Sequence, residues 1–577
     1  MLPTRKFLPH LTLVITAAFA STGTFAATPA DARFEKISDV FIEKLLATHP
    51  ETASTLGDHR YDWRTSDYSA RGIAADRALY HKTLARLAAI PAKDLSPDNA
   101  VDSAILQNEL HARLLDIEVI HEAARDPLQY NPAPGIYILL ARDYAPLHKR
   151  LEAVEARLHA IPDILAAARQ NLQHPPRVFT ETAIAQNQGA ISLVRDELDT
   201  YLKDAPKMRA RLAPARKQAQ AALEAYGVWL KNDLLPRSDG NFRIGKEAFR
   251  QKLRYALDSD LTPEQILASA ESELKATQQA LFEVGLPLYK NWFPDQPIEG
   301  VEHRLIVRAV LGKLAETHSD NDSIVPNVQK KLAAATEFVR AHRLLTLPDA
   351  PVQVIVMPEF ARGVDIAFCD PAGPLEKRGT TFYAISPTPA DWSKERTDSF
   401  YREYNDAMLN DLTVHEAMPG HYVQLSIAAK HSTRVRDLFN SGTFVEGWAT
   451  YAEQFMADAG FGGPETKMEQ LKMRLRTIIN SILDQQIHAG DMSEQQAMQL
   501  MTQEGYQEEG EAAGKWRRAL LTSTQLSTYF VGNLEVNALA RDLQAKTGAT
   551  TDMGAAHDSM LAHGSIATKY IRTLSGL

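Results

Sequence analysis

The feature that most limits the fold of this chain is a helical spacing of apolar residues from about residue 30 to residue 230. Apolar side chains recur three and four positions apart, as in LHKRLEAVEARLHAIPDILAAARQNL (147–172), with Ala, Arg and Gln among the residues between them. This spacing puts the apolar side chains on one face of a helix, and the intervening residue types favour helix formation. We see no internal repeat, so this part of the chain predicts a set of helices packed side by side.

The rest of the chain is also helical in pattern, apart from one short section. Thr262-Pro263-Glu264 predicts a helix start, because threonine caps the first turn and proline fits the first helical position. Residues 351–387 contain PVQVIVMPEF and GTTFYAISP, whose alternating β-branched and aromatic side chains predict strands. We therefore predict a mostly α fold with a small sheet just ahead of a histidine-containing motif at 412–424.

The length of the chain exceeds what one small core can organise, so several parts are expected. We predict a signal peptide at 1–26, an N-terminal helical region at 27–240 and a helical catalytic region at 241–577. The strand GTTFYAISP (379–387) allows two interpretations. It is either an exposed edge strand that pairs with an extended peptide, or a structural strand paired on both sides.

The first residues have the order of a secretory signal. Arg5 and Lys6 precede an uncharged apolar run, and small residues follow up to Ala26. This order is typical of a cleaved signal peptide, and the apolar run is too short for a permanent membrane span. Because this segment holds no cysteine, we expect no lipid anchor there. The prediction is a soluble exported protein, most simply periplasmic, with no membrane anchor.

The charge and cysteine content narrow the class of protein further. The net charge is -9 over 577 residues, and no long basic run is present, so nucleic acid is not expected as a partner. Cys369 is the only cysteine, which excludes an internal disulfide. Nothing around Cys369 resembles a Cys-His catalytic signature, so a buried structural thiol is the favoured interpretation. The oligomeric state is not indicated.

The segment LTVHEAMPGHYVQ (412–424) carries the chemistry of interest. His415 and His421 offer imidazole ligands, and Glu416 lies beside them to take a proton from water. Six residues separate the histidines, which places them on different faces of a regular helix. A bulge at Pro419-Gly420 would return His421 to the face of His415. The alternative is an ordinary helix end with two histidines near a turn.

A third ligand would favour a metal site over that alternative. GTFVEGWATYAEQFM follows the motif, with Glu446 in a helical apolar pattern and Glu453 two turns later on nearly the same face. A carboxylate on the inner face of such a helix needs a buried partner. Both glutamates stay open as the third ligand, and a surface position is the plain alternative for each. Two imidazoles and a carboxylate would suit one zinc ion per chain.

The sequence resembles the bacterial "domain of unknown function 885" family. Five segments carry the resemblance, and they are 402–424, 446–454, 483–493, 523–535 and 557–566. The combination of His-Glu-x-x-Pro-Gly-His with Glu-Gly-Trp-Ala is specific, and weaker similarities extend over most of the mature chain. The family looks like metallopeptidases of the glutamate-type zincin class. The resemblance therefore implies a zincin-like fold in which the small sheet lies beside the active-site helix.

The resemblance also implies roles for individual residues. His415, His421 and Glu446 would be the metal ligands, with zinc as the cofactor, and Glu416 would be the general base. The two extra residues between the histidines would then be a feature of the family.

Two further residues are candidates to stabilise the negative charge that develops on a carbonyl oxygen during hydrolysis. They are Tyr529 and His563, each in a segment that resembles the family. A packed aromatic side chain and a structural histidine are the alternatives. His488 and His557 are weaker candidates, and Gln525 would either bind substrate or cap a turn.

Three functions are compatible with these residues. The first is an exported zinc peptidase that cleaves short peptides in a deep cleft walled by the N-terminal helices. The second is a zinc hydrolase of a non-peptide amide or ester, and the third is a non-catalytic exported metal-binding protein. Glu416 favours the first two, because a structural metal site needs no carboxylate beside an open position. The substrate and the end from which it is cleaved are not indicated.

Overall fold

The structure of the chain is a computed structural model. The structure describes residues 28–357, 366–376, 379–389, 392–431, 433–547 and 553–577. The predicted signal peptide at 1–26 lies outside the described residues. Helices make up most of the described chain, so the prediction of a mostly α fold is confirmed. Within the described residues, no helix combines the length and apolar character needed to cross a membrane.

The first part of the chain is helical throughout, as the periodicity predicts. The helix α1 begins with a capping box, in which Thr28 and Asp31 satisfy each other's backbone N–H groups. The helices are α1 Pro29–Thr48, α2 Pro50–Thr55, α3 Ala70–Ala88, α4 Pro97–Leu115, α5 Glu122–Arg125, α6 Ala133–Ala141, α7 Leu147–Asn171, α8 Arg177–Ser192, α9 Leu198–Lys203 and α10 Pro206–Trp229. Short 3-10 turns lie at His59–Tyr61, Ala92–Asp94, Pro127–Tyr130 and Leu235–Arg237, and π turns at Asp116–Ile120, Leu193–Glu197 and Leu230–Leu234.

The second part adds further helices around the small sheet. Thr262 caps α12 as predicted, since its side chain accepts a hydrogen bond from the Gln265 N–H. Ahead of the sheet lie α11 Lys246–Leu257, α12 Pro263–Trp292, α13 His303–Leu314 and α14 Ile324–His342. After it lie α15 Lys394–Glu403, α16 Asp406–Glu416, α17 His421–His431, α18 Arg434–Leu438, α19 Gly442–Asp458, α20 Gly463–His488, α21 Glu494–Gln499, α22 Glu509–Leu521, α23 Ser527–Thr547, α24 Met553–Leu561 and α25 Thr568–Ser575, with a π turn at Leu500–Glu504.

The sheet has three strands in the order β1-β3-β2, where β1 is Gln353–Val356, β2 is Ala367–Asp370 and β3 is Phe382–Ile385. β1 pairs with β3 in parallel, and β2 pairs with it antiparallel. The strand within GTTFYAISP is therefore central, and its interpretation as an exposed edge strand was wrong. The strand beside α16 is instead β2, which the sequence pattern did not predict.

The apolar cores show how the two halves of the chain fit together. One core is built from helices between 130 and 234 alone. The largest core combines side chains from 34–114 with side chains from 324–571, so the first four helices pack directly on the region that carries the histidine motif. The boundary near residue 240 stays a prediction. The first helices share a core with the distant half of the chain, so the two predicted regions are packed together there.

The helices α19 and α23 approach each other at a pair of glycines. A Cβ at Gly447 of α19 would lie 2.5 Å from the backbone of Gly532 in α23, and a Cβ at Gly532 would lie 2.1 Å from the Thr443 carbonyl oxygen. Only glycine permits this backbone contact. The contact brings the start of α19, with Glu446, close to the start of α23, with Tyr529.

Candidate metal centre

The histidine motif lies at a junction between two helices. The helix α16 ends at Glu416, and α17 begins at His421. In the turn between them, the Ala417 and Met418 N–H groups both donate to the Thr413 carbonyl, and the peptide bond before Pro419 is cis. The predicted bulge within one continuous helix was therefore wrong. The expected consequence is nevertheless present, since the turn brings His421 beside His415.

Gly420 is required in this turn because a side chain would not fit there. Its N–H donates to the Val414 carbonyl at 2.9 Å, and a Cβ would lie 1.9 Å from the His415 carbonyl oxygen. Trp448 of α19 holds the same turn by donating its indole N–H to the Pro419 carbonyl at 2.9 Å. Gly420 is therefore needed for close backbone approach, and not for the unusual backbone angles expected from the sequence.

Replacing Gly420 by valine is expected to weaken metal binding. The added side chain forces the turn away from the His415 carbonyl, which separates the two imidazoles and lowers zinc affinity by about tenfold or more. Competitive chelation measures the affinity, and circular dichroism checks folding. Gly514→Val is the matched control, because nothing lies within 4 Å of a Cβ at Gly514. Normal zinc binding by Gly420→Val would contradict this account of the turn.

The turn and α19 bring three ligand types together. The Nε2 atoms of His415 and His421 each lie 3.5 Å from Glu446 Oε2, and the two rings are nearly perpendicular with centroids 4.6 Å apart. One ligand atom from each residue falls within 4.8 Å of the others. Among the candidates from the sequence, His415, His421 and Glu446 are thus brought into one cluster.

The polar atoms of this cluster fit a metal ion. Glu446 Oε2 is buried without a hydrogen-bond partner among the described residues, which is unfavourable unless something else binds there. Burial would raise the pKa of Glu446, but the contacts with the two imidazoles outweigh it and hold that pKa far below its usual range. Two imidazoles and a carboxylate match a zinc site with an open position.

Glu453 has a different place from Glu446. Its Oε1 lies 2.5 Å from His415 Nδ1, on the far side of the ring from the cluster, and its side chain is 3 % exposed. A carboxylate at Nδ1 fixes the ring orientation and leaves Nε2 as the ligand atom.

Asp411, buried one helical turn before His415, was not predicted from the sequence. Burial and the nearby Glu453 charge raise its pKa well above normal.

Glu416 is oriented by the sheet. The Cys369 N–H of β2 donates to Glu416 Oε2 at 2.8 Å. Burial raises the pKa of Glu416, although the two nearby imidazoles act in the opposite direction. The Cys369 thiol is partly buried, and burial raises its pKa well above normal, so the thiol is held in its neutral form. The contribution of Cys369 to the site is therefore its backbone N–H.

Tyr529 reaches the cluster from α23. Its hydroxyl oxygen accepts from Gln525 Nε2 at 3.2 Å and from Arg518 Nη2 at 3.4 Å. Burial and the Glu446 charge raise its pKa, so the phenol keeps its proton. Because two donors occupy the oxygen, the hydroxyl proton is available to a third group. Arg518 was not found from the sequence, where it is one of two adjacent arginines in a helical run.

Asp484 lies in the segment 483–493, one of the five on which the family resemblance rests. Its carboxylate accepts from the Thr524 and Ser527 N–H groups and from the Ser527 hydroxyl, which fixes the turn before α23. Burial raises the pKa of Asp484 to about 6. No particular role was predicted for this residue, although it sets the position of the helix that carries Tyr529.

His563 does not join the cluster. Its Nε2 lies 3.3 Å from the Ser575 hydroxyl on α25, and its carbonyl accepts from Arg436. The same segment reaches the site through Ser565, whose hydroxyl accepts from Gln424 of α17 and whose carbonyl accepts from the Ser441 N–H at the start of α19. The role of His563 as an oxyanion donor stays a prediction.

The two weaker histidine candidates have structural contacts. His488 Nε2 lies 2.8 Å from both the Ala519 and the Thr522 carbonyls, and burial lowers its pKa to about 4. His557 lies in the core, with Nδ1 beside the Leu344 carbonyl and Nε2 beside the Tyr451 hydroxyl. Both rings connect helices to neighbouring elements rather than lining the cluster.

The fold and the site together define a mostly helical protein with a half-buried His-His-Glu cluster at a helix junction and a further carboxylate beside it. The chain belongs to the family described as "Bacterial protein of unknown function (DUF885)", whose sequence profile matches residues 50–574. This confirms the family resemblance seen in the sequence. No curated protein matches the chain.

Two solved structures are similar over nearly the whole chain. One is a candidate lipoprotein of unknown function from Shewanella oneidensis, with 33% identity and a TM-score of 0.80, covering 94% of this chain and 100% of that one. The other is a candidate lipoprotein from Colwellia psychrerythraea, with 16% identity and a TM-score of 0.77, covering 94% of this chain and 99% of that one. The second similarity shows the shared fold.

Proposed function

We propose that this protein is an exported zinc-dependent hydrolase of the glutamate-type zincin class, acting on peptide bonds of short peptides. The observation that carries the proposal is Glu446 Oε2, a buried carboxylate oxygen between two imidazoles, with Glu416 beside the same cluster. His415, His421 and Glu446 would hold one zinc ion. A carboxylate held next to a three-ligand site favours catalysis over a purely structural metal site.

The roles of the side chains are inferred from their contacts. Zinc, when bound, supplies Lewis acidity and lowers the pKa of a water molecule. Glu416 Oε2 is held by the Cys369 N–H, so Oε1 is the oxygen that takes the proton of the attacking water and passes it to the leaving group. Tyr529 donates its hydroxyl proton in a hydrogen bond to the carbonyl oxygen, where negative charge develops.

A peptide fits the surroundings of Glu416 better than an ester does. Among the described residues β2 pairs with β3 alone, and the side of β2 that faces away from β3 carries the Ala367 backbone groups beside the Cys369 N–H that holds Glu416. An extended substrate can add to such an edge by backbone hydrogen bonds, which an ester lacking N–H groups makes poorly. A cavity of about 350 Å³ is lined in part by Gln525, whose Nε2 donates to the Tyr529 hydroxyl.

Export is the proposed location. The signal-like order at the N-terminus supports it, and both similar structures are described as candidate lipoproteins, which are proteins of the cell envelope. We propose the periplasm as the compartment.

A substrate screen tests the function. The zinc-loaded protein is incubated with peptide libraries and with matched non-peptide amides and esters, and product masses are compared with those from chelator-treated protein. We expect metal-dependent cleavage of short peptides. Cleavage of only the non-peptide substrates would favour the alternative hydrolase, and no cleavage of any substrate would favour a metal-binding protein.

Removing the Tyr529 hydroxyl is expected to slow turnover without loss of metal. Tyr529→Phe should lower kcat by about a hundredfold or more, the size seen when one oxyanion donor is lost, while zinc content stays at one per chain. Steady-state kinetics and elemental analysis give the two quantities. Tyr451→Phe is the control, because that hydroxyl contacts His557 in the core. An unchanged kcat in Tyr529→Phe would remove this residue from the mechanism.

A further inference from the structure

The connection between β2 and β3 makes hydrogen bonds to the N-terminal helical region. The Leu375 N–H donates to the Leu56 carbonyl at 2.8 Å, and Glu376 Oε2 lies 2.9 Å from His59 Nε2. A Cβ at Gly373 would lie 2.5 Å from the backbone of Leu56, so the two backbones are in direct contact. The outer end of this hairpin therefore lies against residues more than 300 positions earlier in the chain.

Arg142, just after α6, makes the broadest of these contacts. Its Nη2 donates to the Asp370 carboxylate and to the Pro371 carbonyl, and its Nη1 donates to the Thr380 carbonyl at 2.9 Å. The guanidinium also lies over the Phe382 ring, 5.3 Å from its centroid. One largely buried cation, with a side chain 15 % exposed, thus joins the end of β2 to the start of β3.

This contact is one residue away from the backbone group that holds Glu416. Asp370 follows Cys369, whose N–H donates to Glu416 Oε2. Among the described residues, β2 pairs only with β3, and Glu416 is the last residue of its helix. Neither element alone fixes the distance between Cys369 and Glu416. Arg142 therefore restrains the end of the strand that carries the Cys369 N–H.

We propose that Arg142 is a positioning residue for Glu416, and that the N-terminal helical region thereby takes part in catalysis. The inference rests on the proposed function for its catalytic consequence, but the restraint on β2 is a property of the fold. A guanidinium suits this place because its planar fork reaches a carboxylate and two carbonyls at once, whereas lysine offers one ammonium group.

The test uses the full-length zinc-loaded protein. Arg142→Ala should lower kcat about tenfold to a hundredfold, as a small misplacement of a catalytic group does, with KM within about twofold and zinc content unchanged. Arg142→Lys should recover part of kcat. Arg177→Ala is the matched control, because Arg177 lies on α8 of the same region and its exposed side chain pairs with Glu181 of the same helix. If Arg142→Ala does not fold, Asp370→Asn removes the side-chain contact more gently and replaces it.

Hydrogen exchange separates this inference from the proposed function. The amides of residues 366–370 should exchange faster in Arg142→Ala than in the wild type or in Arg177→Ala. If the wild type cleaves no substrate, faster exchange still supports the restraint on β2, and the proposed function alone is rejected. Unchanged exchange, or a wild-type kcat in Arg142→Ala, would overturn the inference. A kcat loss that accompanies zinc loss would also overturn it, because the metal cluster would then be the affected part.

Discussion

Replacing Glu416 by glutamine should lower kcat by about a hundredfold to ten-thousandfold, the usual contribution of a general base. The amide has the same shape and can still accept the Cys369 N–H through its oxygen, so the contact with β2 is preserved. It cannot take up a proton from water. The zinc content should stay at one per chain, because Glu416 is outside the three-ligand cluster. Steady-state kinetics and elemental analysis of the same preparation check both expectations.

Glu416→Asp provides the comparison for this result. It retains a carboxylate but shortens the side chain, so the base is present and displaced from the Cys369 N–H. We expect its kcat to lie between those of the wild type and Glu416→Gln. A glutamine variant with near wild-type kcat would exclude Glu416 as the base, whatever the behaviour of the aspartate variant.

The features that can be predicted correctly from the sequence are those that depend on neighbours along the chain. The helices before residue 230 follow from the spacing of apolar side chains, and the start of α12 follows from the Thr262 cap. The relation between Glu446 and Glu453 also follows from helical spacing, since seven residues place both on the side of α19 that faces His415. The choice between them as ligand required the structure, because both contact the same imidazole.

The features that cannot be predicted this way depend on contacts between distant segments. Nothing in the sequence near Cys369 indicates that its N–H meets Glu416, 47 residues later. Arg142 and Arg518 look like ordinary helix-terminal arginines until the fold brings each to the hairpin or to Tyr529. The interpretation of the histidine spacing was correct in its result and wrong in its cause, because a helix can end and restart as easily as it can bulge.

The segment around His563 shows how a motif can indicate part of a site. The place of His563 in a segment similar to the family, and the glycine beside it, made it a candidate. Gly564 does adopt a left-handed conformation, with φ of 82°. After this turn, Ser565 contacts the helices of the site through its hydroxyl and its carbonyl. The motif therefore marks a segment that meets the site through a residue the sequence did not single out.

Removing the carboxylate of Glu446 should abolish zinc binding, whereas removing that of Glu453 should only weaken it. Glu446 Oε2 is the atom 3.5 Å from both imidazole Nε2 atoms, so Glu446→Gln replaces an ionised ligand with a neutral amide. Glu453 contacts His415 from the Nδ1 side. Glu453→Gln keeps an acceptor there, and loss of such an outer carboxylate typically lowers metal affinity about tenfold to a hundredfold.

Zinc titration by competitive chelation should rank the wild type, Glu453→Gln and Glu446→Gln in decreasing order of affinity. Turnover at saturating zinc should be largely restored in Glu453→Gln, because the three ligands are all present once the ion is bound. It should stay undetectable in Glu446→Gln, because the third ligand is missing at any zinc concentration. The reverse ranking would mean that Glu453 is the ligand and that α19 rotates when the metal binds. Equal affinity in all three proteins would show that the ion is not held at this cluster, and the proposed function would then fail with it.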